Sequence, residues 1–267
     1  MNGLRKEESI RDLKAMIAAL EQRPGLQAAP ERDAAPVLGA PAGLLHDVFA
    51  DEMRHGAAAL GFVLGQARSL VTARRPAVLM LQLVHESQEA GIPYGAGLAS
   101  LGFDPDRLIL GRLQSLPDLL WACEEALACP AVAAVVAELG APNRLFDFTA
   151  SRRLGLGAAQ AGASAFLLRY GREREASAAA LRWHVEPAGS GAAPFDARAP
   201  GPPRWRVRLE KGRLGPAQDE AGWLLGWTGD GLERIEDEAG SGAGPAARPA
   251  APGSAPAALG DRLSQTA

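Results

Sequence analysis

Lysine is scarce in this chain of 267 residues, which contains Lys6, Lys14 and Lys211 and no other lysine. The long stretch from residue 15 to residue 210 therefore has none. A phosphate-binding loop of the form G-x-x-x-x-G-K-[ST] uses its lysine to contact the terminal phosphates of a nucleotide. The shortage excludes a complete loop of that type anywhere in this stretch.

Cysteine and histidine are also rare, with two cysteines and four histidines. Cys123 and Cys129 are separated by five residues in an apolar stretch, and no cluster of histidine and cysteine completes a metal-binding set. We interpret both cysteines as small core residues of a protein in a reducing compartment. The sequence predicts no metal and no cofactor.

Long apolar runs and an excess of positive charge are missing as well. The longest apolar runs are interrupted well short of the ~20 residues that a membrane span needs, and the charged N-terminus lacks the apolar segment of a signal peptide. The net charge of −3 predicts no general affinity for nucleic acid or membranes. We expect a cytoplasmic protein.

The N-terminal segment, residues 1–23, is predicted to form an amphipathic helix. Its apolar residues recur at helical spacing, and Pro24-Gly25 ends it; these residues are Ile10, Leu13, Ile17 and Leu20. A linker rich in Ala, Pro and Asp follows over residues 24–42. The helix packs either on its own domain or on a neighbouring protein, and the sequence favours neither.

Residues 43–228 are predicted to form an α/β domain. Short apolar runs alternate with helical segments, which is the pattern of parallel strands joined by helices. The predicted strands cover residues 44–49, 77–84, 107–112, 132–139 and 163–169. Because these strands are apolar throughout, helices are expected on both faces of a mostly parallel sheet.

The C-terminal part of the chain has a different pattern. After Ala176 the segments "AAALRWHVEP", "PPRWRVRLEKGR" and "AGWLLGW" alternate with period two, which predicts antiparallel strands, with a loop over residues 188–201. Residues 229–267 are acidic and then rich in Ala, Pro and Gly. This composition buries too little apolar surface to offset chain entropy, so we expect a disordered tail.

The segment "GAAALGFV" has the glycine spacing of a phosphate-binding loop, with Gly56 and Gly61 in place. Phe62 and Val63 occupy the positions of the lysine and the hydroxyl residue. One interpretation is a degenerate nucleotide-binding loop, and the other is the start of a core helix with Phe62 inside. The residues alone favour the second.

Three carboxylates occupy positions where a nucleotide-hydrolysing fold keeps acidic residues. Glu138 ends a predicted strand, where such folds hold a magnesium ligand, and Glu86 and Glu89 follow another strand, where a base would activate water. Without bound phosphates these positions are vestigial. Glu138 is then expected to cap a strand end or to form an ion pair.

A basic strand face is predicted in "RWRVRL". Arg204, Arg206 and Arg208 project to one side, with Trp205, Val207 and Leu209 on the other. If "LRWHV" pairs alongside, Arg182 and His184 join the basic side. This face is either solvated and neutralised by the acidic segment "GDGLERIEDE", or it contacts DNA phosphates or an acidic partner.

Several segments in series resemble the inducible mutagenesis protein A (ImuA) family, which is similar to RecA. They are "GAAALGFV", "YGAGLASLGFDPDRLILGR", "LPDLLWACEEALACPAVAAVVAELG", "DFTASRRLGLGAAQAGASAFLLR" and "SAAALRWHVEP" with "PPRWRVRLEKGR". The resemblance runs from about Leu38 to Trp227. It implies a RecA-like α/β core and a role in DNA-damage-induced (SOS) mutagenesis and translesion synthesis, beside an ImuB-like protein and an error-prone polymerase.

The resemblance also implies functions for particular residues. Lys211 and Arg213 match the basic pair that RecA extends to a neighbouring subunit, and residues 10–20 resemble the helix that docks on an adjacent protomer. The expected protein is a non-catalytic accessory factor whose partners are an ImuB-like protein, the error-prone polymerase complex and RecA. The alternatives are an atypical ATPase that uses Arg54 or a partner's cation, and a DNA-binding module that uses the basic face.

Overall fold

A nine-stranded mixed sheet forms the centre of the protein. The computed structural model describes residues 41–140, 142–193, 195–212, 222–228 and 231–235. The strand order across the sheet is β11-β10-β9-β6-β1-β5-β4-β2-β3. The strands of this sheet are β1 (Leu45–Ala50), β2 (Ala77–Leu83), β3 (Leu108–Leu113), β4 (Val132–Gly140), β5 (Ser164–Tyr170), β6 (Leu181–Ala188), β9 (Arg204–Lys211), β10 (Trp223–Thr228) and β11 (Gly231–Ile235).

The parallel part of the sheet confirms the predicted fold class. Strands β3, β2, β4, β5, β1 and β6 pair in parallel in that order, and each of the five predicted strands lies within one residue of its observed bounds. Every residue of β1, β2, β4 and β5 is buried. The chain therefore has a RecA-like α/β core with both faces of the sheet covered.

Five helices connect these strands. They are α1 (Gly56–Leu70), α2 (Val84–Ala90), α3 (Gly95–Ser100), α4 (Leu116–Leu127) and α5 (Phe148–Ala161). Helices α4 and α5 begin at side-chain caps, because Ser115 and Asp147 accept hydrogen bonds from the amides of Asp118 and Ala150. Helix α5 ends at Gly162, whose φ of 71° is the left-handed conformation that glycine adopts without strain.

Two apolar clusters fill the two sides of the sheet. One holds the buried residues of α4 and α5 against the strands, including Leu119, Leu154 and Leu167. The other packs α1 against the sheet and contains most of the aromatic residues, among them Phe62 and Trp183, whose ring centroids are 5.6 Å apart. Helix α1 thus lies across the junction between the parallel strands and the later strands.

The later strands correct three predictions. Strand β6, predicted antiparallel, pairs in parallel with β1 and antiparallel only with β9. Residues 188–201, predicted as a loop, contain a short hairpin of β7 (Ala192–Ala193) and β8 (Asp196–Pro200). Strand β11 lies within the predicted tail, because Leu232 is buried beside α1 and holds this strand on the sheet. The folded domain therefore extends to Ile235.

Several predicted features lie outside the described residues. They are the helix of residues 1–23 with Ile10, Leu13, Ile17 and Leu20, the linker up to residue 40, Arg213, and the tail from residue 236. Within the part of the chain that is described, no helix combines the length and the apolar character that a membrane crossing requires.

Candidate functional site

The predicted degenerate loop is part of a helix. Gly56 is the first residue of α1, so Gly61, Phe62 and Val63 lie in its second and third turns. Phe62 and Val63 are fully buried in the apolar cluster beneath that helix. The segment from Gly56 to Val63 is therefore helix and core, as the second interpretation has it, and it forms no loop.

The turn that joins β1 to α1 begins at Asp51, five residues before Gly56. Four residues separate Asp51 from Gly56, which is the spacing of the two glycines in a phosphate-binding loop. In this alignment Ala57 and Ala58 take the positions of the lysine and the hydroxyl residue. The corrected position thus lacks the same two chemical groups as the predicted one.

The backbone of this turn hydrogen-bonds to itself. Residues Met53–His55 form a 3-10 turn, in which the amide of His55 donates to the carbonyl of Glu52 at 2.9 Å. The amide of Gly56 donates to the carbonyl of Met53. A phosphate-binding loop instead directs its amides at the ligand. Two of the amides closest to the start of α1 are therefore already engaged.

Tyr170 occupies the space beside the first residue of α1. A methyl group added at Gly56 would lie 2.9 Å from the hydroxyl oxygen of Tyr170 and 3.0 Å from its Cζ atom. Tyr170 is the last residue of β5, and it is buried. The aromatic ring of Tyr170 thus packs directly against the first residue of α1.

Glu138 holds Tyr170 in place through a buried hydrogen-bond network. The Tyr170 hydroxyl donates to one carboxylate oxygen of Glu138, and the side-chain amide of Gln82 donates to the other. Gln82 also donates to the carbonyl of Gly91 at 3.2 Å. Burial, together with the negative charge of Glu138, raises the pKa of Tyr170, which keeps the phenol protonated as a donor. Glu138, predicted to cap a strand end or to form an ion pair, therefore links β4 to β2 and β5 through side-chain hydrogen bonds.

Of the two predicted acidic positions after β2, Glu86 belongs to this site and Glu89 does not. A methyl group added at Gly140, which has a φ of 65°, would lie 2.6 Å from Cδ of Glu86. Burial raises the pKa of Glu86, and the charges of Glu138 and Glu89 act in the same direction. Glu89 is exposed on α2. The sequence contained no local signal for Gln82 and Tyr170, which complete the network.

A second polar cluster lies where Asp47 of β1 pairs in register with Arg182 of β6, and it changes the role of Arg182. The carboxylate of Asp47, which is fully buried, accepts hydrogen bonds from Arg182 at 3.1 Å and from Ser177. The guanidinium of Arg182 lies 5.4 Å from the ring of Phe49. Arg182 is thus a mostly buried structural cation and does not contribute to a basic surface, contrary to the prediction.

The face of β9 carries the predicted alternation, but acidic residues share it. Arg206 and Arg208 are exposed, with Trp205 and Val207 buried on the other side. His184 pairs in register with Arg208, and Glu186 pairs with Arg206. Arg174 joins the face to the β1 turn, because it contacts Asp51 at 2.7 Å and Glu210 at 2.9 Å. Lys211 donates to the carbonyl of Ser177 at 2.9 Å.

Three potential metal ligands, which the sequence did not predict as a group, lie close together between the β1 turn and β6. Ligand atoms of Asp51, His184 and Glu186 lie within 4.8 Å of one another. Arg208 lies 3.2 Å from Nδ1 of His184, and a guanidinium can only donate. The proton of the neutral ring is then on Nε2, the nitrogen that faces Asp51 at 3.2 Å.

The surroundings of this group favour an ion-pair network over a metal site. A metal ligand needs an unprotonated nitrogen, which Nε2 of His184 does not offer in this arrangement. The positively charged side chains of Arg174 and Arg208 lie beside this group and would repel a divalent ion. Partial burial alone would raise the pKa of Asp51, but the hydrogen bond and the positive charge of Arg174 hold the pKa of this carboxyl below its ordinary value.

Comparison with known proteins gives a relative of substantial identity. No family model matches the sequence. In an alignment of 199 residues that covers 70% of this chain, the sequence is 37% identical to Protein ImuA of Caulobacter vibrioides (strain NA1000 / CB15N), of which 76% is covered. Protein ImuA of Caulobacter vibrioides (strain ATCC 19089 / CIP 103742 / CB 15) matches to the same extent.

Proposed function

The chain belongs to the ImuA family, and from this premise we propose that it is a non-catalytic accessory protein of DNA-damage-induced mutagenesis. It binds an ImuB-like protein, RecA or both, and thereby recruits or regulates error-prone translesion synthesis. Its RecA-like core serves as a scaffold for these contacts. It neither binds nor hydrolyses a nucleotide.

The closed turn between β1 and α1 is the observation that carries the non-catalytic part of this proposal. Phosphoryl transfer depends on backbone amides, a lysine and a hydroxyl residue that together hold the phosphates and magnesium. Here Ala57 and Ala58 replace the two side chains, the Gly56 amide is bonded to Met53, and Tyr170 lies against Gly56. A nucleotide would have to displace a buried phenol that is hydrogen-bonded to Glu138.

The same network supports a scaffold role, because it fixes the loops at the carboxyl edge of the sheet without a ligand. Glu138, Gln82 and Tyr170 lie in the last three residues of three different strands, and Tyr170 reaches α1 as well. Buried hydrogen-bonded networks that join several strands make a local structure rigid. The surfaces around these loops are thus preorganised for a partner, which reduces the ordering cost of binding.

The exposed part of β9 is the surface that we propose for partner contact. Arg206 and Arg208 project from it, and Glu186 and Glu210 lie among them. Such a mixed surface fits a protein partner with complementary charges better than the uniform negative charge of DNA. Lys211, one of the two basic residues that the resemblance implies for partner contact, is the last residue of this strand.

Nucleotide binding is tested by thermal unfolding of the full chain with and without magnesium and ATP. A ligand that binds the folded state and is present in excess over its Kd raises the midpoint of unfolding. Because the proposed protein binds no nucleotide, we expect the same midpoint in both conditions. A protein with an intact phosphate-binding loop serves as the positive control. A magnesium-dependent increase in the midpoint would refute the proposal.

Partner binding is tested by co-purification with an ImuB-like protein and with RecA, each in a separate experiment. The charge reversals Arg206→Glu and Arg208→Glu are expected to reduce recovery of the partner at least 10-fold. The matched control is Arg198→Glu, since Arg198 is an exposed arginine on β8. Equal recovery with all three variants would exclude the β9 face. Retention on DNA that weakens steeply with salt would instead favour the DNA-binding alternative.

A further inference from the structure

Helix α5 presents two large apolar side chains to solvent on one face. Ala150, Leu154 and Ala158 recur every four residues on its inner face and are buried in the core. Phe148 and Leu156, with Arg152 between them, recur with the same spacing on the outer face. Phe148 is 52% exposed and Leu156 is 54% exposed. We call these three outer residues the α5 stripe.

The chain enters the folded domain at the C-terminal end of α5. A methyl group added at Gly43 would lie 3.4 Å from Cα of Gly162 and 3.5 Å from the carbonyl oxygen of Ala158. The amide of Gly43 donates to the hydroxyl of Ser164 at 3.1 Å, which fixes this point of entry. The residues that precede Gly43 in the chain therefore start beside the end of the α5 stripe.

We propose that the amphipathic helix predicted for residues 1–23 docks along the α5 stripe of the same chain. A protein helix gains most of its stability from the packing of its apolar face, so this helix needs an apolar surface to bury Ile10, Leu13, Ile17 and Leu20. With 14 residues, α5 is about 21 Å long. The linker of residues 24–42 spans up to about 60 Å when extended, so every position along the stripe is within reach.

Charge and connectivity both favour this occupant. Glu21 follows Ile17 by four residues, so it borders the apolar face of the predicted helix. Arg152 lies between the two apolar residues of the stripe and can pair with it. The linker also holds the helix near the stripe at an effective concentration in the millimolar range, which favours docking in the same chain over docking on a second copy.

Docking would withdraw the N-terminal helix from any other protein. A partner that uses Ile10, Leu13, Ile17 and Leu20 would first have to displace the helix from the α5 stripe. The inference concerns the isolated chain and does not depend on the proposed function. It holds whether or not the protein binds an ImuB-like protein or RecA.

Thiol labelling of the full chain tests this proposal. Ala159 is exposed and follows Leu156 by three residues, so Ala159→Cys places a thiol next to the stripe without removing its apolar side chains. Its reaction with a charged maleimide is followed by peptide mass spectrometry, which separates it from Cys123 and Cys129. We expect Leu13→Asp combined with Ile17→Asp to accelerate labelling at least 5-fold, and Leu156→Asp to have the same effect.

Two controls make the outcome decisive. Arg11→Asp adds the same charge to the polar face of the predicted helix and is expected to leave labelling slow. Gln88 is exposed on α2, a helix other than α5, and a thiol introduced by Gln88→Cys is expected to react at the same rate in every variant. Unchanged labelling of the Ala159→Cys thiol in both stripe and helix variants would overturn the proposal. Protection that disappears on dilution would also overturn it, because the helix would then dock on a second copy.

Discussion

The side chain of Tyr170 lies directly against Gly56, so that a methyl group at Gly56 would approach the Tyr170 hydroxyl oxygen to 2.9 Å. The last residue of β5 and the first residue of α1 thereby form one packed unit with Glu138. The N-terminus of α1 is thereby packed against the side chain of a buried tyrosine.

Removal of the Tyr170 hydroxyl is expected to destabilise the fold without creating a nucleotide site. Tyr170→Phe leaves the buried carboxylate of Glu138 without one of its two donors, which costs about 1–3 kcal/mol in the free energy of unfolding. Urea denaturation measures this change. Tyr94→Phe is the control, because Tyr94 is 76% exposed, and it is expected to have no measurable effect. An equal effect of both variants would contradict the role of the network.

Arg182 is expected to matter for stability more than an exposed arginine does. Arg182→Met leaves the fully buried carboxylate of Asp47 without its cation, and breaking such a pair costs about 3–5 kcal/mol. Arg54→Met removes an ion pair with Glu52 whose side chains are 74% and 42% exposed, so less than about 1 kcal/mol is expected. Denaturation of both variants compares the two sites. A small effect of Arg182→Met would contradict the structural role of the Arg182–Asp47 ion pair.

Acid is expected to destabilise the protein through His46. Burial lowers the pKa of His46 from 6.5 to about 3, and its Nδ1 accepts a hydrogen bond from the indole of Trp183 at 3.1 Å. Between these two pKa values the unfolded chain binds a proton that the folded protein does not. The free energy of unfolding therefore falls as the pH decreases from about 6.5 towards 3, by up to about 1.4 kcal/mol per pH unit.

The His46 contribution is measured as the slope of stability against pH. His46→Asn keeps an acceptor for Trp183 but does not titrate, so it should reduce the slope between pH 6 and pH 4. His85→Asn is the matched variant at an exposed histidine of α2, and the slopes of the two variants are compared directly. If His46→Asn retains the full slope, other groups are responsible for the loss of stability in acid.

Two helical glycines are expected to respond in opposite directions to alanine. At Gly157 a methyl group would meet only Leu127, at 3.8 Å, so Gly157→Ala should stabilise the protein by about 0.5–1 kcal/mol through helix propensity. At Gly65 a methyl group would lie 2.6 Å from Cγ of Leu232, so Gly65→Ala should displace β11 and destabilise. Thermal unfolding compares the two. If Gly65→Ala also raised the midpoint of unfolding, β11 would move aside at little cost in free energy.

Local sequence patterns predicted the parallel strands well. The apolar runs of β1, β2, β4 and β5 are buried on both faces, so they contain few polar interruptions and their ends are sharply marked. The period-two pattern also placed Trp205 and Val207 inward. That pattern reports which side of a strand is buried, but it does not determine whether a neighbouring strand is parallel, and so β6 was assigned incorrectly.

The candidate site was harder to predict because its residues are far apart in sequence. Tyr170 and Glu138 are 32 residues apart, and Gln82 and Glu138 are 56 residues apart. Only the strand order brings them together. The glycine spacing from Gly56 to Gly61 was misleading, since small residues are as acceptable at a close helix contact as in a loop, and Gly61 faces Trp205.

Four of the five tryptophans, at positions 183, 205, 223 and 227, are buried on the α1 side of the sheet. They come from β6, β9 and β10, and Trp205 donates to the carbonyl of Ala58 at 2.7 Å. The protein therefore has a built-in optical reporter, whose emission would shift to longer wavelength if this end of the sheet separated from the helix. Partial opening of that region can be followed in solution without attaching a dye.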